Sequence, residues 1–156
     1  MTQEDKHFLN LAGEFLVAGE LNRRGVTCSV TYGFSKQADI IAFADDRRRT
    51  VWVEVKTTTK PEFIVGPKAL DTTLVSSDVF WVLVHVPEDM AKPPRYFVLT
   101  SAELCKRASG KFKLYNDGYR QRHGHDYDKP GVHKLALMDV VDCESQWDVL
   151  IKELKK

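Results

Sequence analysis

Asp39, Glu54 and Lys56 are the residues whose types and spacing lend themselves to chemistry. Each stands in an apolar, partly β-branched stretch: Asp39 opens Ile40-Ile41-Ala42-Phe43, and Glu54 and Lys56 alternate with Val53 and Val55. Two residues apart on a strand, Glu54 and Lys56 leave the same face about 6.6 Å from one another. A tight hairpin through 45–49 would bring the Asp39 strand alongside and set its carboxylate near Glu54. Two converging carboxylates raise each other's pKa, and a hard cation relieves that cost. Mg²⁺ (Mn²⁺ may substitute) prefers carboxylate, carbonyl and water oxygens, so the Val55 backbone carbonyl between Glu54 and Lys56 is a further candidate ligand. The chemistry implied is metal-assisted hydrolysis of a phosphodiester, with a water oriented and acidified and the phosphate polarised. Lys56 beside that water would hold it in line, stabilise developing negative charge or help remove the proton; the sequence leaves these three roles open. The competing reading is an exposed cross-strand Glu54–Lys56 ion pair, worth under about 1 kcal/mol. The site reading carries more weight because two apolar strands, a charged turn and a preceding helix supply its context.

Those residues need elements to position them. A helix is expected over 2–24, where Phe8, Leu11, Ala12, Phe15, Leu16 and Leu21 recur at helical spacing and Gly25 supplies a stop. Strands follow at 26–32, 38–44 and 50–58, the last with Val51, Val53 and Val55 on one face and Trp52, Glu54 and Lys56 on the other. The stretch 61–77 is ambiguous, with a short helix around 68–75. The apolar run 79–86 reads as a central strand, and 95–99 as another. A helix over 100–108 carries Thr100 and Glu103 at capping-box spacing. The basic segment after it, rich in Gly, Tyr and His, reads as irregular. A last helix over 145–154 puts Trp147, Leu150, Ile151 and Leu154 on one stripe. The order is α-β-β-β-α-β-β-α, an α/β sandwich around a mixed sheet in a single domain, 1–156.

This arrangement resembles the PD-(D/E)XK nuclease superfamily, which includes restriction endonucleases and archaeal-type Holliday junction resolvases. The superfamily's first acid maps onto Asp39, here after Ala38 where proline is usual, and its (D/E)XK triplet onto Glu54-Val55-Lys56. Many members carry a glutamate on the first helix, and Gly13-Glu14 … Leu21 … Gly25 is similar to that stretch. The resemblance therefore implies a restriction-endonuclease-like fold with an α-β-β-β-α-β core, Glu14 as an auxiliary catalytic and metal-binding residue, and cleavage leaving 5′-phosphate and 3′-hydroxyl ends. It covers about the first half of the chain and the 80–86 strand.

Composition bounds what else is open. The chain has 156 residues, 43% of them hydrophobic and 29% charged, which suits a globular domain that buries roughly two-thirds of its unfolded surface. The run 79–86 is too short to span a bilayer, which argues against a membrane partner. The N-terminus shows no signal peptide, and Cys28, Cys105 and Cys143 show no metal or disulfide spacing, so a cytoplasmic protein with reduced thiols is expected. Net charge is +1, but 106–134 holds eight Lys/Arg against three acids, +5 before its histidines, leaving −4 elsewhere. A basic segment on an acidic body suits a polyanion partner, DNA first with RNA not excluded. Lys111, Lys113, Arg120 and Arg122 interleave with Phe112, Tyr115, Tyr119 and Tyr127, so cations tracking phosphates and rings stacking on bases are expected; aromatics packing a loop is the alternative. Lys36 and Lys60 flank the motif strands as further nucleic-acid-binding candidates, beside Ser35, Gln37 and Thr57 to Thr59; Lys68 is a weaker one. His123, Gly124, His125 and His133 lack regular zinc spacing and read as a solvated loop. The leading function is a DNA endonuclease; the alternative is a nucleic-acid-binding module of the same fold with little cleavage of its own. A homodimer is a further expectation, since one site cuts one strand, and the helix over 145–154 either packs inward or makes that contact.

Overall fold

The computed structural model describes residues 2–31, 38–46, 48–128 and 133–156. Helix α1, Gln3–Arg23, opens on a capping box between Thr2 and Asp5 and stops at Gly25, whose φ of +77° suits a residue without a side chain. Three antiparallel strands follow, β1 Thr27–Val30, β2 Ile40–Phe43 and β3 Thr50–Thr58. A short strand β4, Glu62–Ile64, precedes two 3₁₀ turns, Pro67–Leu70 and Thr72–Leu74. The chain then returns as β5, Val79–His85, parallel to β3, and β6, Arg95–Thr100, antiparallel to β5. Helix α2 is Ser101–His123, β7 is Lys134–Ala136, and α3 is Trp147–Leu154. The main sheet has the order β1-β2-β3-β5-β6, and β4 pairs with β7 in a separate two-stranded sheet.

Both faces of the main sheet are covered. On one, Val17 and Leu21 of α1 and Trp147, Leu150 and Leu154 of α3 pack on Ile40, Val51, Val53, Val82 and Val98. On the other, Leu104 and Ala108 of α2, with Phe63 and Leu135 of the small sheet, pack on Trp81, Leu83, Phe97 and Leu99. This two-sided cover explains why β5 is an almost unbroken apolar run, as a parallel-paired interior strand is expected to be. The middle of the sheet is β3, however, and β5 lies one place off it.

Three elements differ from the sequence expectation. The helix expected around 68–75 is a pair of 3₁₀ turns: Gly66 at φ +72° and Pro67 start it, and Asp71 caps Thr73 to break it in two. Thr72, Thr73 and Val75 are weak helix formers, so nothing carries it on as an α-helix. The basic segment expected to be irregular is helical as far as His123, ended by Gly124 in the left-handed conformation. The β4–β7 sheet was not expected, since each strand is three residues long and its partner is distant in sequence. Among the described residues, no helix is long and apolar enough to cross a membrane.

Candidate active site

β3 extends beyond the start of β2, and the candidate residues gather at that overhang. The β2–β3 ladder ends with Ile40 opposite Val53, so one step further sets Asp39 against Glu54. Asp39 is held at both ends: its N–H donates to the Val53 carbonyl at 3.0 Å, and its Oδ2 accepts from the Val55 N–H at 2.7 Å. A side-chain carboxylate thus continues the ladder where the strand backbone stops, satisfying a donor that would otherwise be orphaned. Glu54 is one of two buried polar or charged residues among those described, at 9% exposure. Its Oε1 accepts from Lys68 Nζ at 3.1 Å, and its Oε2 lies 3.8 Å from Lys56 Nζ. Lys56 also donates to the Val55 carbonyl at 3.2 Å, and its ammonium lies 5.6 Å from the centroid of the Trp81 ring.

Glu14 reaches this corner from α1. The helix can come so close because Gly13 lies against Thr57 of β3: a Cβ at position 13 would stand 1.8 Å from Thr57 Oγ1. Burial pushes the Glu14 carboxyl above its ordinary pKa; the Asp39 carboxylate pushes the same way, and Lys56 opposes them. Those influences place Glu14 within electrostatic reach of both residues.

The candidate donors are oxygen throughout, three carboxylates and the Val55 carbonyl, the ligand type that a hard divalent cation takes. Among the described residues no three His, Cys, Asp or Glu side chains form a ready-made ligand cluster. Glu54 and the Val55 carbonyl are engaged by lysine ammonium groups instead, which supply the positive charge that a cation would bring.

The other sequence candidates fare unevenly. Lys68, a weak candidate from sequence, is a direct partner of Glu54. Thr57 faces inward against Gly13 with its hydroxyl buried, so it is not free to contact a bound backbone. Lys60 pairs with Glu88 at 2.9 Å. Ser35, Lys36 and Gln37 lie outside the described residues. Lys111, Lys113, Arg120 and Arg122 stand on α2, where Lys111 pairs with Asp139 at 2.9 Å and Arg120 with Asp126 at 2.5 Å. The neighbouring aromatics pack on one another: Tyr115 and Tyr119 both meet Tyr127 edge-on, and His123 lies 4.2 Å from Tyr119 between centroids. α3 packs within the chain, through buried Trp147, Leu150 and Leu154. All three cysteines are free. Sequence reasoning missed the cavity beside Glu54, although Trp52 on the motif's own face was a readable signal.

No protein-family model matches the chain, and no curated protein matches its sequence. The comparison with solved structures does find matches, and the likeness shows the fold: a restriction-endonuclease-like mixed sheet flanked by helices. One matched structure is Hjc of Archaeoglobus fulgidus, a Holliday junction resolvase from an archaeal hyperthermophile. The alignment covers 90% of this chain and 94% of Hjc at a TM-score of 0.52, with 12% sequence identity.

Proposed function

We propose that the chain, acting as one domain over 1–156, is a divalent-metal-dependent nuclease, and specifically a DNA endonuclease. The observation that carries this reading is the Asp39 carboxylate, fixed on the Val55 N–H and set in register against Glu54, with Lys56 on the same face. A cross-strand ion pair needs neither a strand-extending aspartate nor a second acid from α1. Fold likeness to a structure described as a Holliday junction resolvase supports the same reading.

In this reading Asp39, Glu54, the Val55 carbonyl and Glu14 hold Mg²⁺, with Mn²⁺ able to replace it. The bound ion supplies charge neutralisation and an acidified water. Lys56, whose ammonium donates to the Val55 carbonyl, would stabilise the charge that develops on a scissile phosphate held on the same face. Lys68 compensates the buried Glu54 carboxylate. Glu14, whose neutral form is favoured by burial and by Asp39, becomes a better ligand once a cation offsets that repulsion. The basic face of α2 supports DNA as the polyanion, with RNA as the competing substrate.

The test is cleavage of labelled duplex, single-stranded, flap and four-way-junction DNA, and of RNA, in Mg²⁺ and in Mn²⁺. Wild type is expected to cut DNA, and Asp39→Ala, Glu54→Ala and Lys56→Ala to lose cutting while remaining folded. Cutting by all three at the wild-type rate would overturn the site. A folded wild type that binds but cuts nothing would instead indicate a binding module of the same fold.

A further inference from the structure

Beside Glu54, on the face away from α1, lies a cavity of about 500 Å³ that the hydrolytic chemistry above does not use. Trp52 and Trp81 line it from β3 and β5, flanking Glu54, whose register partner across the ladder is Trp81. Ala69, Ser101 and Cys105 complete the buried part. The outer wall is the double 3₁₀ turn, where Leu74 and Val75 are 47% and 38% exposed although both are apolar. That wall is tied down by a reciprocal pair of bonds: Ser76 N–H donates to Ser101 Oγ at 3.0 Å, and Ser101 Oγ donates to the Ser76 carbonyl at 2.8 Å. The cavity is thus built into the fold, with an apolar aromatic interior and a fixed outer wall.

Its charges say what it would take. Among the described residues, Glu54, Asp71 and Asp78 line it against a single cation, Lys68, which already pairs with Glu54. Such a lining repels phosphate and accepts hydrogen bonds from amino groups. A planar group with an apolar face and amino donors on its edge fits it, and in a chain that holds a phosphodiester at Glu54 and Lys56 that group arrives attached to the same backbone. We infer that the cavity receives one unpaired nucleobase next to the scissile phosphate, stacked on Trp52 and Trp81 with its amino edge toward Asp71 and Asp78. The inference rests on the nuclease reading and narrows its substrate class to DNA carrying an unpaired or displaced nucleotide at the cut. A base paired and stacked in a duplex cannot enter a pocket of this kind without leaving the helix, and extrusion is least costly where pairing is already lost.

The experiment is equilibrium binding by fluorescence anisotropy in Mg²⁺, in a Lys56→Ala background to prevent cutting. The probes are a fully paired duplex, the same duplex with one bulged adenine, and the same bulge with an abasic residue. Stacking of a single base on an aromatic side chain predicts that the adenine bulge binds about tenfold or more tighter than the abasic bulge. Adding Trp52→Ala should bring that ratio to about one, while Trp52→Phe, which keeps an aromatic ring, should retain most of it. Thermal melts establish that each variant is folded. Equal binding of adenine and abasic bulges by protein with Trp52 intact would overturn the pocket, as would a paired duplex that binds as tightly as the adenine bulge. The nuclease reading fails separately: a wild type that prefers the adenine bulge but cuts nothing keeps the pocket and loses the activity. A wild type that cuts, with a base-to-abasic ratio of one, does the reverse.

Discussion

Gly13→Ala is expected to destabilise the protein, although the same exchange six residues further along the same helix is expected to stabilise it. Replacing glycine by alanine inside a helix ordinarily gains about 1 kcal/mol. At Gly19 none of the described residues lies within 4 Å of the added Cβ, so Gly19→Ala should keep most of that gain. At Gly13 the added carbon would stand 1.8 Å from Thr57 Oγ1, 2.9 Å from its Cβ and 3.0 Å from its Cγ2. Rotating Thr57 moves its γ atoms but leaves its Cβ at 2.9 Å, so α1 or β3 must shift. Overpacking of this kind costs about 1–3 kcal/mol, and an approach this short belongs in the upper part of that range. Subtracting the helix gain leaves a net loss of about 1–2 kcal/mol. For a domain of this size that lowers the melting temperature by about 2–8 °C, whereas Gly19→Ala raises it by about 2–4 °C. Thermal and urea melts of the two variants and wild type are the assay. Thr57→Ala supplies a second arm: it removes a buried hydroxyl that has no hydrogen-bond partner among the described residues and should recover part of the Gly13→Ala loss. Gly13→Ala melting as high as Gly19→Ala would refute the close approach of α1 to β3, and with it the means by which Glu14 reaches Asp39.

Three further outcomes are expected. In the folded chain the charged form of His85 is disfavoured, first by burial and then by Arg95, so its pKa lies below the ordinary 6.5, while a backbone hydrogen bond at Thr59 opposes the shift. As pH falls below 6.5 the unfolded chain takes up this proton before the folded one does; stability is therefore intact above 6.5 and declines below it. Arg95, paired with Glu144, is the neighbouring charge, and His85→Gln should flatten the slope of denaturation midpoint against pH between 7 and 5; an unchanged slope would remove His85 from the account. On α2, no ion pair among the described residues engages Lys113 or Arg122, whereas Lys111 and Arg120 are paired. Neutralising Lys113 and Arg122 together should reduce the salt dependence of duplex binding by about 0.9 for each phosphate they neutralise, more than neutralising Lys111 and Arg120 does; equal slopes would detach this face from DNA. Phe63 is fully buried and meets Phe97 edge-on at 5.8 Å between centroids. Phe63→Ala should cost about 3–5 kcal/mol in urea melts, and a loss under about 1 kcal/mol would mean that the β4–β7 sheet is not anchored through it.

What could be read from sequence and what could not divide by how far each feature depends on distant chain. α1, β2 and β3 were legible because their apolar residues recur at 3.6 or 2 positions and neighbouring turn signals bound them. The acids and lysine of the motif were legible for the same reason, since their placement needs only a hairpin and a strand's alternation. The periodic signal for α2 stops at Ala108 because its buried residues stop there: Ser101, Leu104, Cys105 and Ala108 are its buried positions. Beyond them Gly110, Gly118 and a run of polar and aromatic residues leave no apolar stripe, and Leu114 stands 72% exposed. That half of the helix is held by local interactions, with Asn116 and Arg120 reaching across to Asp126 and Tyr127, which periodicity does not register.

The same distinction explains why the site looked simpler in sequence than it is in three dimensions. Alternation along β3 puts Glu54 and Lys56 on a face opposite Val53 and Val55, which suggests one buried side and one open side. Glu54 is nevertheless as enclosed as a core residue, because Lys68 and Ala69 come over it from the crossover between β3 and β5. That crossover had no readable period, being two 3₁₀ turns after a glycine and a proline. A carboxylate in such a place needs positive charge close by in every state of the protein. Lys56 and Lys68 meet that need at Glu54. Lys56 is 36% exposed and Lys68 49%, so both ammonium groups reach Glu54 from the solvent side of the site. On this view Lys68→Ala should raise the need for divalent cation in thermal stability: the variant should melt lower than wild type without Mg²⁺, and the gap should narrow as Mg²⁺ is added. A gap that stays constant across the titration would mean that Lys68 and the cation do not share Glu54.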